Sequence, residues 1–176
     1  ESFLTTLSQY KECQNSFNLW QQGIDLGLFC PQFHGREHLN VSQWLRALQT
    51  QNKNILEAFN NSMISISSEP SPLKYSYMEG MDFFNENEKE SRKAILEEGL
   101  SLFENIFNYK SSSYIANCYI WDEYVEEVLS QKGVEFIQGV RIQKSPIIEN
   151  NTHQHQFKSN YLGKQNKFNQ FYLVRN

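Results

Sequence analysis

Two histidines stand four residues apart in the stretch QFHGREHLNV, residues 32–41, and they are half of the histidines in the chain. His34 and His38 are neutral nitrogen donors of the kind that zinc and similar ions take. A spacing of four lets both rings meet one ion, from successive turns of a helix or from a loop that curls back. Arg36 and Glu37 lie between them. Beside a metal, Arg36 could bind a carboxylate or anchor a catalytic acid, and Glu37 could accept a ring N–H and orient His34 or His38. An exposed ion pair is the alternative for both. An isolated pair of this spacing is more often two solvated histidines. Here the pair follows the short apolar run LFCPQF, which reads as a strand end, and strand ends are where α/β folds keep their ligand sites.

The whole chain bounds what such a site can serve. Its 176 residues are one domain's worth, 14% of them aromatic. A core is therefore available. The mean hydropathy of -0.61 comes from abundant Asn and Gln, not from a charge-rich, core-poor composition, so disorder is excluded. The net charge of -4 leaves no basic surface to follow a phosphate backbone, which argues against nucleic acid. No apolar run has the length of a membrane span. Cys13, Cys30 and Cys118 are odd in number and widely spaced. They predict free thiols and mildly favour a reducing, cytoplasmic setting.

The elements that must position the histidines can be read from periodicity. A helix is expected up to about Leu28, with Asn15 or Ser16 at its N-cap. A second should begin after Asn40 or Ser42, placing Val41, Trp44, Leu45 and Leu48 on one face, and NILEAFNNSM continues as a third. SSEPSPLKYS, residues 67–76, is a Pro/Ser-rich loop. YMEGMDFF is strand or loop, with Glu79 and Asp82 near a glycine; a turn with a capping Asp82 is expected, and acids of the site are the alternative. The second half predicts helix 88–109, strand 113–120, helix 122–132 and strand 134–140, an alternation that favours parallel strands. Asp122 should cap the third of these and Gly133 end it. NNTHQHQFKSNYLGKQNK, with His153 and His155, reads as a polar surface loop. FNQFYLVRN reads as a closing strand.

HGREH fits H-x-x-E-H, the signature of inverted zinc metallopeptidases, with Glu37 as general base. That chemistry needs one helix through both histidines. Pro31 before the motif, Gly35 inside it and a helix start at Asn40 or Ser42 argue for a loop instead.

The longer stretch NSFNLWQQGIDLGLFCPQFHGREHLNV resembles the second conserved block of the NodB-like polysaccharide deacetylases. ESRKAILEEGLSLFENIFNYKSSSYIANCYIWDEYVEEVLSQKGVEFIQG resembles that family's long helix, third block, next helix and next strand. QFHGREHLNV and YIANCYIW are also similar to a bacterial subgroup described as polysaccharide (de)acetylases. The likeness covers most of residues 15–140, by order of elements more than by identity.

The resemblance implies one domain over 1–176 with an α/β fold, a partial or irregular (β/α) barrel with mostly parallel strands. It implies a metal-dependent hydrolase removing acetyl groups from N- or O-acetylated carbohydrate, with zinc as the divalent ion and a saccharide as partner. His34 and His38 take the metal-ligand positions. Tyr119 would line the groove and Arg36 would sit at the rim; Trp121 could stack on a sugar ring, with a core or rim aromatic the equal alternative. Ala116 falls where the third block has its arginine. The family's aspartate pair has no counterpart before His34, so the catalytic acids are expected upstream of Glu1 or not at all. A relative that binds saccharide or metal without turnover is the alternative.

Overall fold

The computed structural model describes residues 9–64 and 77–175. The chain separates into two compact units, Glu1–Pro31 and Gln32–Asn176, where the sequence reads as one domain. The first unit is built on α1 (Ser16–Asp25). Asn15 precedes that helix but gives it no side-chain cap. The loop 67–76 lies outside the described residues.

The second unit opens with α2 (Val41–Gln49) and α3 (Lys53–Asn60), then α4 (Lys89–Phe107). Asn40 starts α2 by accepting the Gln43 N–H, the role its position before the apolar stripe predicts. Next come β1 (Ser113–Ile115), α5 (Glu123–Gln131) and β2 (Phe136–Val140). Asp122 accepts the Val125 N–H at the start of α5, and Gly133 closes the turn after it at a positive φ of 85°. β3 (Ile142–Glu149), β4 (Thr152–Ser159) and β5 (Phe171–Arg175) complete the order.

This is a mixed α/β fold around a small parallel sheet, β1-β2-β5. Phe33 adds a single parallel bridge to Tyr114 at the β1 edge. The sheet does not close into a barrel among the described residues. Its core holds Phe33, Leu96, Phe103, Tyr114, Trp121 and Ile137, from sheet and helices alike. Gly99 lets α4 approach closely: a Cβ there would come within 2.7 Å of Phe33 Cζ.

Two predicted elements are corrected. The strand expected over 113–120 stops at Ile115, because residues 117–119 form a 3-10 turn in which Cys118 and Tyr119 take φ of 54° and 57°. The polar stretch NNTHQHQFKS is not a surface loop. Asn150 and Asn151, both at positive φ, turn the chain, and Thr152–Ser159 pairs antiparallel with β3 along its whole length. Asn is among the few residues that adopt this conformation cheaply, which suits a two-residue hairpin turn. The hairpin leaves the carboxyl end of β2 through Arg141. Gln143 Nε2 holds it by donating 2.7 Å to the Trp121 carbonyl.

Candidate functional site

The H-x-x-x-H segment lies at the carboxyl end of the parallel edge. Phe33 makes the bridge to Tyr114, and His34 follows immediately. Residues 33–39 form no helix, so the histidines do not rise from successive helical turns as H-x-x-E-H chemistry requires. Gly35 takes φ of 102°, open to glycine and strained for other residues. The loop curls back instead. His34 Nε2 and His38 Nε2 come within 2.9 Å of each other, with the rings edge to face at 4.8 Å. His34 Nδ1 is 2.9 Å from the Ile115 carbonyl oxygen. A carbonyl only accepts, so Nδ1 carries the proton and the Nε2 lone pair points at His38. Both rings are exposed.

The neighbours of the pair take other roles than expected. Arg36 Nη2 donates 2.6 Å to Glu37 Oε1, and Arg36 also pairs with Glu98. The Glu37 hydrogen bond is the main cause that raises the guanidinium pKa further. Arg36 and Glu37 are thus an ion pair at the rim, and Glu37 does not turn to either histidine. Trp121, open between a sugar-stacking ring and a core or rim aromatic, is 0% exposed. Its Nε1 donates to Glu126 Oε1 at 2.9 Å, and its ring lies 2.7 Å from where a Cβ on Gly139 would be. It is a core residue, because a bulky ring with a satisfied N–H is best placed inside. Tyr119 is half-buried against the core, in the turn that follows Ile115. Ala116 is buried at the start of that turn.

A second constellation was not foreseen. Asp82, His153 and His155 converge, with one ligand atom from each lying within 4.8 Å of the others. His153 Nε2 is 2.8 Å from Asp82 Oδ1 and His155 Nε2 is 3.0 Å from Oδ2. Alternation along β4 puts residues 153 and 155 on one face. Asp82 is 2% exposed, while the side chains of His153 and His155 are 12% and 25% exposed. The carboxylate also accepts the Phe83 N–H at 2.9 Å, which orients Oδ1. Asp82 therefore caps no helix; it is the hub of a buried polar cluster. The three residues could hold a metal ion, since they supply one carboxylate and two imidazoles.

One residue joins the two histidine pairs. Asn40, two residues past His38, donates through Nδ2 to the Asp82 carbonyl at 2.8 Å and to the Glu79 carbonyl at 3.2 Å. Its N–H donates to the Tyr77 carbonyl at 2.7 Å. Gly80 packs on the same backbone: a Cβ there would come within 3.0 Å of the Glu37 carbonyl oxygen. Burial first, then the nearby Asp82 charge, raises the Glu79 carboxyl above its usual range. Burial likewise raises the Cys118 thiol, and none of the three cysteines forms a disulfide.

Sequence signals for the second cluster exist but are weak. H-x-H is the spacing of one strand face, and Asn-Asn just before it is a turn signal. No helix among the described residues is long and apolar enough to cross a membrane. Comparison of the chain with protein-family models, with curated proteins and with solved structures finds no match.

Proposed function

We propose that this chain belongs to a metal-dependent hydrolase that removes acetyl groups from N- or O-acetylated carbohydrate. The observation that carries the reading is the convergence of His34 Nε2 and His38 Nε2 at 2.9 Å, with His34 fixed in the right tautomer by Ile115. Two nitrogens bound tetrahedrally to zinc stand roughly 3.3 Å apart, given bonds of about 2.05 Å. The pair needs to open by a few tenths of an ångström. The donor chemistry therefore fits zinc, although no third His, Cys, Asp or Glu donor joins the pair among the described residues. The resemblance of QFHGREHLNV to the deacetylases supplies the substrate class.

His34 and His38 would hold the ion at the mouth of the strand edge. Bound there, the ion would polarise an acetyl carbonyl and lower the pKa of a water. Ile115 keeps the His34 ring oriented. The Arg36–Glu37–Glu98 cluster screens one side of the loop and leaves no free guanidinium for a substrate carboxylate.

The test is acetate release from N-acetylated and O-acetylated oligosaccharides with added zinc. His34→Ala and His38→Ala should each lower the rate at least 100-fold while far-UV circular dichroism stays unchanged. Wild-type rates in both variants would sink the proposal. Saccharide binding without any acetate release would favour the non-catalytic relative, in keeping with Ala116 where the third block has an arginine.

A further inference from the structure

We propose that Asp82, His153 and His155 bind a divalent first-row metal ion of the zinc type, as a centre separate from the His34–His38 pair. This goes beyond the deacetylase reading and does not depend on it. The group within 4.8 Å contains neither His34 nor His38.

Three features point to a metal site more than to a polar cluster that only holds itself together. The first is donor chemistry. Two imidazoles and a carboxylate are the set that borderline ions take, and three protein donors leave room for a water. The second is geometry. Asp82 oxygens lie 2.8 and 3.0 Å from the two Nε2 atoms, and one donor atom from each residue lies within 4.8 Å of the others, so all three donors stand around one point where an ion could sit, each carboxylate–imidazole gap widening by a few tenths of an ångström. The histidine Nε2 protons now shared with Asp82 would leave those atoms or pass to Nδ1 on binding. The third is support around the ligands. The Phe83 N–H orients Oδ1, Asn40 holds the Asp82 backbone, and the His153 ring stacks on Phe84 at 4.0 Å. Such supporting contacts hold ligands ready for an ion.

The role follows from connectivity. His153 and His155 lie 71 and 73 residues from Asp82 along the chain. An ion held by all three would staple the β3–β4 hairpin to the 77–82 loop. An ion that binds only the folded chain stabilises it by mass action.

The test uses the metal-free protein with Zn2+ and Co2+ as probes. Zn2+ at 100-fold excess over its Kd should raise the melting temperature by about 5–10 °C. Co2+ should produce the visible absorption of a low-coordinate nitrogen–oxygen site. Both signals should be kept in the double variant His34→Ala/His38→Ala, and lost when Asp82→Asn, His153→Ala or His155→Ala is added to that double variant. His155→Ala, at the most exposed ligand, keeps the test valid if Asp82→Asn fails to fold. Retention of both signals when His155→Ala or His153→Ala is added to the His34→Ala/His38→Ala protein would overturn the proposal. So would their loss in the His34→Ala/His38→Ala protein itself, or no stoichiometric binding to wild type. Acetate release plays no part, so failure of the deacetylase reading leaves this result intact.

Discussion

Two buried carboxylates, Glu126 and Asp82, have the same problem and solve it with different partners. Glu126 is 5% exposed. It accepts from Trp121 Nε1 at 2.9 Å, Tyr172 Oη at 2.7 Å and Asn166 Nδ2 at 3.0 Å. Asp82 is as deeply placed and accepts from the Phe83 N–H and two histidine rings. The indole nitrogen and the amide nitrogen can only donate, so the Glu126 cluster is complete as it stands. It ties α5 to β5 and to the loop before it. The Tyr172 hydroxyl is pushed well above its ordinary range, first by burial and then by its hydrogen bond to Glu126. Imidazoles can exchange a donated proton for a lone pair, and theirs reach solvent. Burial of a charge is thus no sign of function in itself. The chemistry of the donors separates a structural carboxylate from a site.

The largest expected effect breaks the structural member of the pair. Glu126→Ala leaves the buried Trp121 and Tyr172 donors without an acceptor, while Asn166 keeps Gln170, and should cost about 3 kcal/mol or more, read from urea unfolding. A loss below about 1 kcal/mol would show that water or a neighbour replaces the carboxylate. Zn2+ binding of the protein that remains folded should be unchanged. Gly139→Ala pushes on the same cluster from the sheet side, through the Trp121 ring 2.7 Å away. Overpacking there should cost about 2 kcal/mol. Asp82→Asn in chelator should cost only about 1 kcal/mol, since a side-chain oxygen still accepts from one ring. Added Zn2+ should widen its gap from wild type while leaving that of Gly139→Ala constant. A constant gap in both would make Asp82 another Glu126. His34→Ala should change stability by less than about 0.5 kcal/mol, because the ring is exposed; a larger loss would mark His34 as structural support for the Ile115 turn.

Much of the helical framework was legible from local signals. The apolar spacing of residues 89–107, the Asp122 cap and the Gly133 stop suffice for α4 and α5, since a helix is decided by neighbours three and four residues away. β2 and β5 were also visible as apolar runs. β4 was not, because THQHQFKS has no hydrophobic alternation. Its pattern is carried by histidines facing Asp82, and hydropathy scores them as polar. Trp121 stayed open between a sugar-facing and a core position for a related reason. An indole beside a capping Asp looks the same at a rim or in a core, and only the Glu126 acceptor across the fold decides between them.

The loop conformation of HGREH was determined locally. Pro31 and Gly35 break helical continuity whatever surrounds them, and the curl that brings His34 to His38 is closed within five residues. Everything that gives those histidines neighbours was decided by tertiary structure. Parallel pairing of Phe33 with Tyr114 sets the Ile115 carbonyl under His34. The crossover from β1 to β2 launches the hairpin that carries His153 and His155 to Asp82. Carboxylates and imidazoles more than 70 residues apart meet through sheet register and the burial of apolar side chains elsewhere, and no spacing along the chain records that meeting.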